Sequence, residues 1–264
     1  MILKRSKLLQ EDIKRILTRL SEEFGVKVTF RRDTPPLQYN PLNDEVVANV
    51  KLMSEVLEDV ARCKKMSFNL EKKLRRDFLH ELEHRRLLKT NPILLEAYKH
   101  GLYYIWRCGE ALQDFLIETR ILRHQEMVIS DYVTFAKKYL LDADERLSDA
   151  LTEIWRGNML LVPYFLISIA YVEGGLSDRE ISLLKPPERG LVYELTNILR
   201  NLSEYNLLYA TLKLGEVILD FLLRVKNLII ASTDLDKLAN RMSSEVRSFQ
   251  EMLEAKKGNF HVTE

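Results

Sequence analysis

The stretch Phe78-Leu79-His80-Glu81-Leu82-Glu83-His84-Arg85 decides how the rest of the chain is read. It contains His-Glu-x-x-His inside a run, Met66 to Asn91, that has neither Gly nor Pro and is rich in Leu, Glu and Arg. Such a composition favours helix. On a helix, His80 and His84 stand one turn apart on the same face and can bind one metal ion together. Zinc suits two imidazoles and keeps an open position in catalytic sites. Glu81 lies about 100° round the helix from His80, where it can act as a general base on a water at the metal without ligating it. The plainer alternative is a charged helix surface on which two histidines happen to fall. A third ligand decides between the two.

Downstream lies Gly109-Glu110-Ala111-Leu112-Gln113-Asp114-Phe115-Leu116-Ile117-Glu118-Thr119-Arg120, overlapping a helix read over 112–125. Glu110, Asp114 and Glu118 recur at spacing four, and each such step drifts by only about 40° round a helix, so they share one broad face. The residues between them are largely apolar, and acids in an apolar segment need a partner. None of the three has Lys or Arg four residues on, as a solvated stripe usually would. The pattern reads as metal-facing, with Glu110 and Asp114 as alternative third ligands.

A helix, short strands, a His-Glu-x-x-His helix and a later helix with Glu-x-x-x-Asp together resemble the zincin superfamily of metallopeptidases, over roughly residues 20–125. The Glu-x-x-x-Asp pair is similar to the gluzincin branch. That resemblance implies zinc, a peptide or protein substrate, Glu110 as third ligand and Asp114 as orienting partner of His80 or His84. A looser resemblance links Glu-Ala-Leu-Gln-Asp-x-x-Ile-Glu to predicted metallopeptidases associated with von Willebrand A-type domains, where the shared acid is at Asp114. By resemblance, too, the strand over 45–50 is an edge that pairs with an extended substrate. His124, Tyr103 and Tyr104 are candidates to donate to the oxyanion.

Around this centre, the chain reads as mainly α (α+β). Apolar residues at helical spacing from Lys4 to Phe24 predict a helix that Gly25 ends. Strands follow over 26–31 and 45–50, separated by a loop over 33–41 that contains Pro35, Pro36 and Pro41. Helices are expected over 51–62 and 70–88, and another from Asn91-Pro92. No convincing strand follows Ile93. The reading is thus a small zincin-like α/β unit with a short sheet over residues 1–125, and an all-helical portion over 126–264 packed against it. In the latter, Ser177 and Glu180 have the spacing of a capping box.

The 264 residues include 40 basic and 39 acidic side chains, so the net charge of +1 gives no global reason to expect nucleic acid. The basic run Arg62, Lys64, Lys65, Lys72, Lys73, Arg75 and Arg76 supports an alternative: a non-catalytic zinc or interaction module using residues 62–76. Two cysteines, Cys63 and Cys108, form no motif and fit reduced thiols of a cytoplasmic protein. Scarce Gln with abundant Lys, Arg and Glu leans toward a heat-adapted source. Met1 to Leu20 is charged throughout and has no apolar signal-type stretch. The longest apolar run, Met159 to Val172, is fourteen residues, too short to span a bilayer comfortably, and reads as a buried central helix.

Overall fold

Apolar residues repeating every three or four positions make the first helix, α1 (Ile2–Phe24), and put Ile13, Ile16, Leu17 and Leu20 in the core. Gly25, at φ +62°, takes the left-handed conformation that ends it. The computed structural model describes residues 2–64, 69–122, 125–155, 161–225 and 233–259. It divides into two compact units, Met1–Thr90 and Asn91–Glu264.

In the first unit, β1 (Lys27–Phe30), β2 (Leu37–Asn40) and β3 (Glu45–Ala48) form one sheet in the order β1-β3-β2. β1 runs parallel to β3 with Lys27 opposite Glu45, and β2 runs antiparallel to it with Leu37 opposite Ala48. β3 is therefore the central strand, paired on both sides and buried throughout. This corrects the expectation of a substrate-pairing edge at 45–50, because the backbone groups of β3 are already used. It also corrects the loop expected over 33–41. Its prolines flank β2 without entering it, as suits an edge strand.

α2 (Val50–Lys64) follows, and its start is fixed by buried Asn49. The Asn49 amide donates to the Arg32 and Thr34 carbonyls at 2.8 and 2.9 Å, and its oxygen accepts from the Leu52 N–H at 3.1 Å. α3 (Leu70–Thr90) carries the His-Glu-x-x-His motif. Asn69 caps it, its side-chain oxygen accepting from the Lys72 N–H at 3.0 Å. Glu71 in the first turn and Lys89 in the last suit the helix dipole. Leu74 and Phe78, one turn apart, are fully buried with Leu17, Leu20, Val26 and Val46. Burying a side chain such as Phe78 contributes about 1.5–3 kcal/mol, enough to fix which face of α3 turns inward.

The second unit comprises α4 (Pro92–Lys99), α5 (Tyr103–Leu116) with a π-helical turn at Ile117–Ile121, α6 (Gln125–Leu141), α7 (Ala143–Trp155), α8 (Val162–Val172), α9 (Asp178–Ile181), α10 (Pro186–Asn201), a 3-10 turn at Glu204–Asn206, α11 (Leu207–Val225) and α12 (Thr233–Asn259). None of its described residues forms a strand. The mainly α, α+β class holds. α5 packs on α4, α11 and α12. Its Tyr104 N–H donates to Glu245 at 2.6 Å and its hydroxyl to the Gly215 carbonyl at 2.7 Å. By packing, α5 thus belongs to the second unit, and the compact division falls at Thr90, well before residue 125. α8 lies among α6, α7 and α10 with Tyr164, Ile167, Ile169 and Ala170 buried, as expected of the apolar run. No described helix is long and apolar enough to cross a membrane.

Candidate metal centre

Helical spacing brings His80 and His84 together on α3. Their Nε2 atoms stand 3.0 Å apart, with the rings edge to face at 4.8 Å between centroids. Two N–H groups cannot point at each other over that distance, so at least one Nε2 presents a lone pair. Nitrogens each about 2.0–2.1 Å from one tetrahedral zinc would stand roughly 3.3 Å apart. The pair is close to that spacing, and both rings are half-buried. The same distance suits an N–H···N bond, so one ring donating to the other also satisfies the pair. The donors fit zinc, and the helix preforms them.

Glu81 Oε2 accepts the backbone N–H of Tyr39 at 2.6 Å. This partner comes from β2, the strand hidden in the proline-rich span, and so was not visible in the sequence. Tyr39 is itself buried, and its hydroxyl donates to Asp44 Oδ1 at 2.8 Å. Asp44 accepts from Arg85 Nε at 2.5 Å and Nη2 at 2.6 Å, and from Lys89 at 3.4 Å. The Arg85 guanidinium holds the Asp44 carboxyl well below the usual carboxylate range. Burial, then the bond to Asp44, pushes the Tyr39 hydroxyl up.

Glu110 and Asp114 stand one turn apart on α5, in the second unit. Arg107 Nη1 donates to Glu110 Oε2 at 2.6 Å, a partner three residues upstream that a search four residues downstream misses. Asp114 is exposed. Glu118 falls in the π-helical turn, so the stripe of 40° steps does not continue to it. Tyr104 is a core residue: its ring is fully buried and its hydroxyl bonded to Gly215, which removes it as an oxyanion donor. Tyr103 is half exposed, with its ring edge-on to Tyr98 and the Arg241 guanidinium 5.8 Å above it. His124 lies outside the described residues.

The basic run is largely matched by acids where it is described. Lys73 bonds Asp77 at 2.5 and 2.6 Å, and Arg75 bonds Glu23 at 2.8 Å. Beyond the motif, Arg86 bonds Glu83 at 2.6 Å. The side chains of Arg62, Lys64 and Lys65 lie outside the described residues. Compared with protein-family models, curated proteins and solved structures, the chain matches none.

Proposed function

We propose that this chain is a zinc-dependent metallopeptidase of zincin-like design that hydrolyses peptide bonds in the cytoplasm. The observation that carries the reading is the pair of imidazole nitrogens 3.0 Å apart on α3, with a carboxylate at the residue following the first histidine. His80 and His84 would hold the ion. The zincin resemblance draws the third ligand from Glu110 or Asp114, one turn apart on α5. When bound, zinc supplies Lewis acidity, polarising a carbonyl and lowering the pKa of water toward neutrality. Glu81 would take a proton from the attacking water as its oxygen bonds the carbonyl carbon, and would pass a proton to the amine nitrogen as the C–N bond breaks.

Elemental analysis of the purified chain should find about one zinc, and near none in His80→Ala and His84→Ala. Equal, near-zero metal in all three would remove the metalloprotein reading. The interaction-module reading draws less support, because Lys73, Arg75 and Arg86 are occupied by acids. Salt-sensitive nucleic-acid binding without hydrolysis would restore it.

A further inference from the structure

We propose that Tyr39 and Asp44 are positioning residues that set the orientation of Glu81, an inference that rests on reading Glu81 as the general base. β2 is an edge strand, and along an antiparallel edge alternate residues turn their N–H and C=O groups away from the partner strand. The Tyr39 N–H meets the Glu81 carboxylate at 2.6 Å, the length of a charge-assisted bond. A backbone N–H cannot swing on its own, so its direction is that of the strand.

What holds the strand is a closed circuit. Arg85, one residue past His84, grips Asp44 with two nitrogens, at 2.5 and 2.6 Å. Asp44 accepts the Tyr39 hydroxyl at 2.8 Å, and the Tyr39 N–H returns to Glu81 on the same helix. Asp44 takes φ +50°, a left-handed conformation that Asp tolerates better than most residues, so the turn presents its carboxylate to both partners. The buried Tyr39 ring between these two bonds makes the link rigid. A glutamate on a helix otherwise samples several rotamers. With Oε2 bonded to the strand, the side chain is held to the rotamers that reach the Tyr39 N–H. Misplacing a catalytic group by about 1 Å can cost 100-fold in rate, so such a clamp is a lever on turnover.

The test uses the full zinc-loaded chain and the variants Asp44→Asn, Tyr39→Phe, Arg85→Lys and Glu81→Ala. Amide exchange at Tyr39 is followed by NMR, zinc by elemental analysis, and kcat and KM on a quenched-fluorescent peptide selected from a random pool cleaved by the wild type. Exchange at Tyr39 should rise about tenfold or more in Asp44→Asn, Tyr39→Phe and Glu81→Ala, with the β3 amides unchanged. Zinc should stay at one per chain in Asp44→Asn while kcat falls about 10–100-fold and KM moves less than about twofold. Arg85→Lys keeps the charge but loses the two-pronged grip and should fall between, giving a milder variant if Asp44→Asn folds poorly. Unchanged exchange in Asp44→Asn overturns the clamp, as does faster exchange with unaltered kcat, or a kcat loss that only follows loss of zinc. A wild type that binds zinc yet cleaves no peptide overturns the peptidase reading itself, and the positioning role of Tyr39 and Asp44 with it. The exchange data then show only whether Asp44 tethers the strand.

Discussion

Glu188, in the first turn of α10, is buried, and three groups make four bonds to its carboxylate. Arg146, itself 1% exposed, donates to it through Nε at 2.9 Å and Nη2 at 3.2 Å. The Tyr164 hydroxyl adds a bond at 2.9 Å, and the Lys185 N–H another at 3.1 Å. Burial pushes this carboxyl up, but Arg146 and Tyr164 outweigh it, and the net position is below the ordinary glutamate range. Glu81 is held differently: it is half-buried, beside a histidine pair, with one oxygen on a strand N–H. Glu188 is saturated with donors and tied into the core, which suits a structural role. Glu81 is only partly buried and sits on the helix that carries the two imidazoles, which suits chemistry. Burial alone does not separate the two roles; the kind of neighbour does.

Exchanging each carboxylate for its amide should give opposite phenotypes, and these are the largest effects expected. Glu188→Gln leaves the Arg146 charge buried without its counter-ion, and should lower stability by about 3–5 kcal/mol in urea unfolding while zinc content stays the same. Glu81→Gln should keep zinc and stability to within about 1 kcal/mol, and lose about 10²–10⁴-fold in hydrolysis. A stable Glu188→Gln protein, or an active Glu81→Gln one, would break the comparison.

The second test separates the carboxylates of α5. If Asp114 is the ligand, Asp114→Ala should weaken affinity in zinc titrations by more than about 100-fold. Glu110→Ala should cost no more than the roughly 10–100-fold typical of a residue that only orients a ligand. The reverse order would make Glu110 the ligand and Arg107 its orienting partner. Unchanged affinity in both would take the third ligand off α5.

The histidine pair and its glutamate were legible because a spacing of four on a Gly- and Pro-free run specifies geometry locally. So was the buried α8, which follows from apolar composition. The strand order was not, because which strand lies in the middle of a sheet is fixed by tertiary pairing. β2 was hidden by Pro35, Pro36 and Pro41, which read as loop yet only bracket it. α5 begins at Tyr103, well before Leu112, and runs through Gly109, where a Cβ would meet Leu94 Cδ2 at 3.0 Å. A glycine that reads as a bend is here a packing contact inside a helix. The π-helical turn that displaces Glu118 leaves no mark in the sequence.

Glu45 sharpens the comparison from inside the sheet. It is 1% exposed, yet its ionised form is favoured, first by the Thr29 hydroxyl at 2.6 Å and next by Lys27 at 3.0 Å, and its pKa falls to about 2. A carboxyl whose folded pKa lies below its unfolded one binds fewer protons when folded. Its contribution is therefore complete above the ordinary glutamate range and is lost as pH falls from there toward about 2. Urea midpoints taken from pH 6 down to 3 should decline, and less steeply in Glu45→Gln. Parallel acid limbs in the two proteins would mean that Glu45 is not a principal acid-sensitive group of the sheet.

The smallest effect belongs to a carboxylate in the same helix position as Glu188 but only partly buried, Glu180. Glu180 is the third residue of α9, and its Oε2 accepts the Ser177 N–H at 2.8 Å, just as Glu188 accepts the Lys185 N–H. The Ser177 hydroxyl returns the bond by accepting from the Glu180 N–H at 3.3 Å, which completes the capping box. The backbone contact is the same in the two helices, so any difference in outcome comes from what surrounds the carboxylate. Replacing an N-cap serine by alanine costs about 0.5–2 kcal/mol, and a helix of only four residues belongs at the low end of that range. Ser177→Ala should accordingly speed amide exchange at Glu180 and Ile181 several-fold and barely move the global unfolding midpoint. Glu180→Gln, which keeps an oxygen to accept the Ser177 N–H, should do still less. If Glu180→Gln instead destabilised the chain as much as Glu188→Gln, the shared cap contact and not the buried Arg146 pair would account for the cost at Glu188.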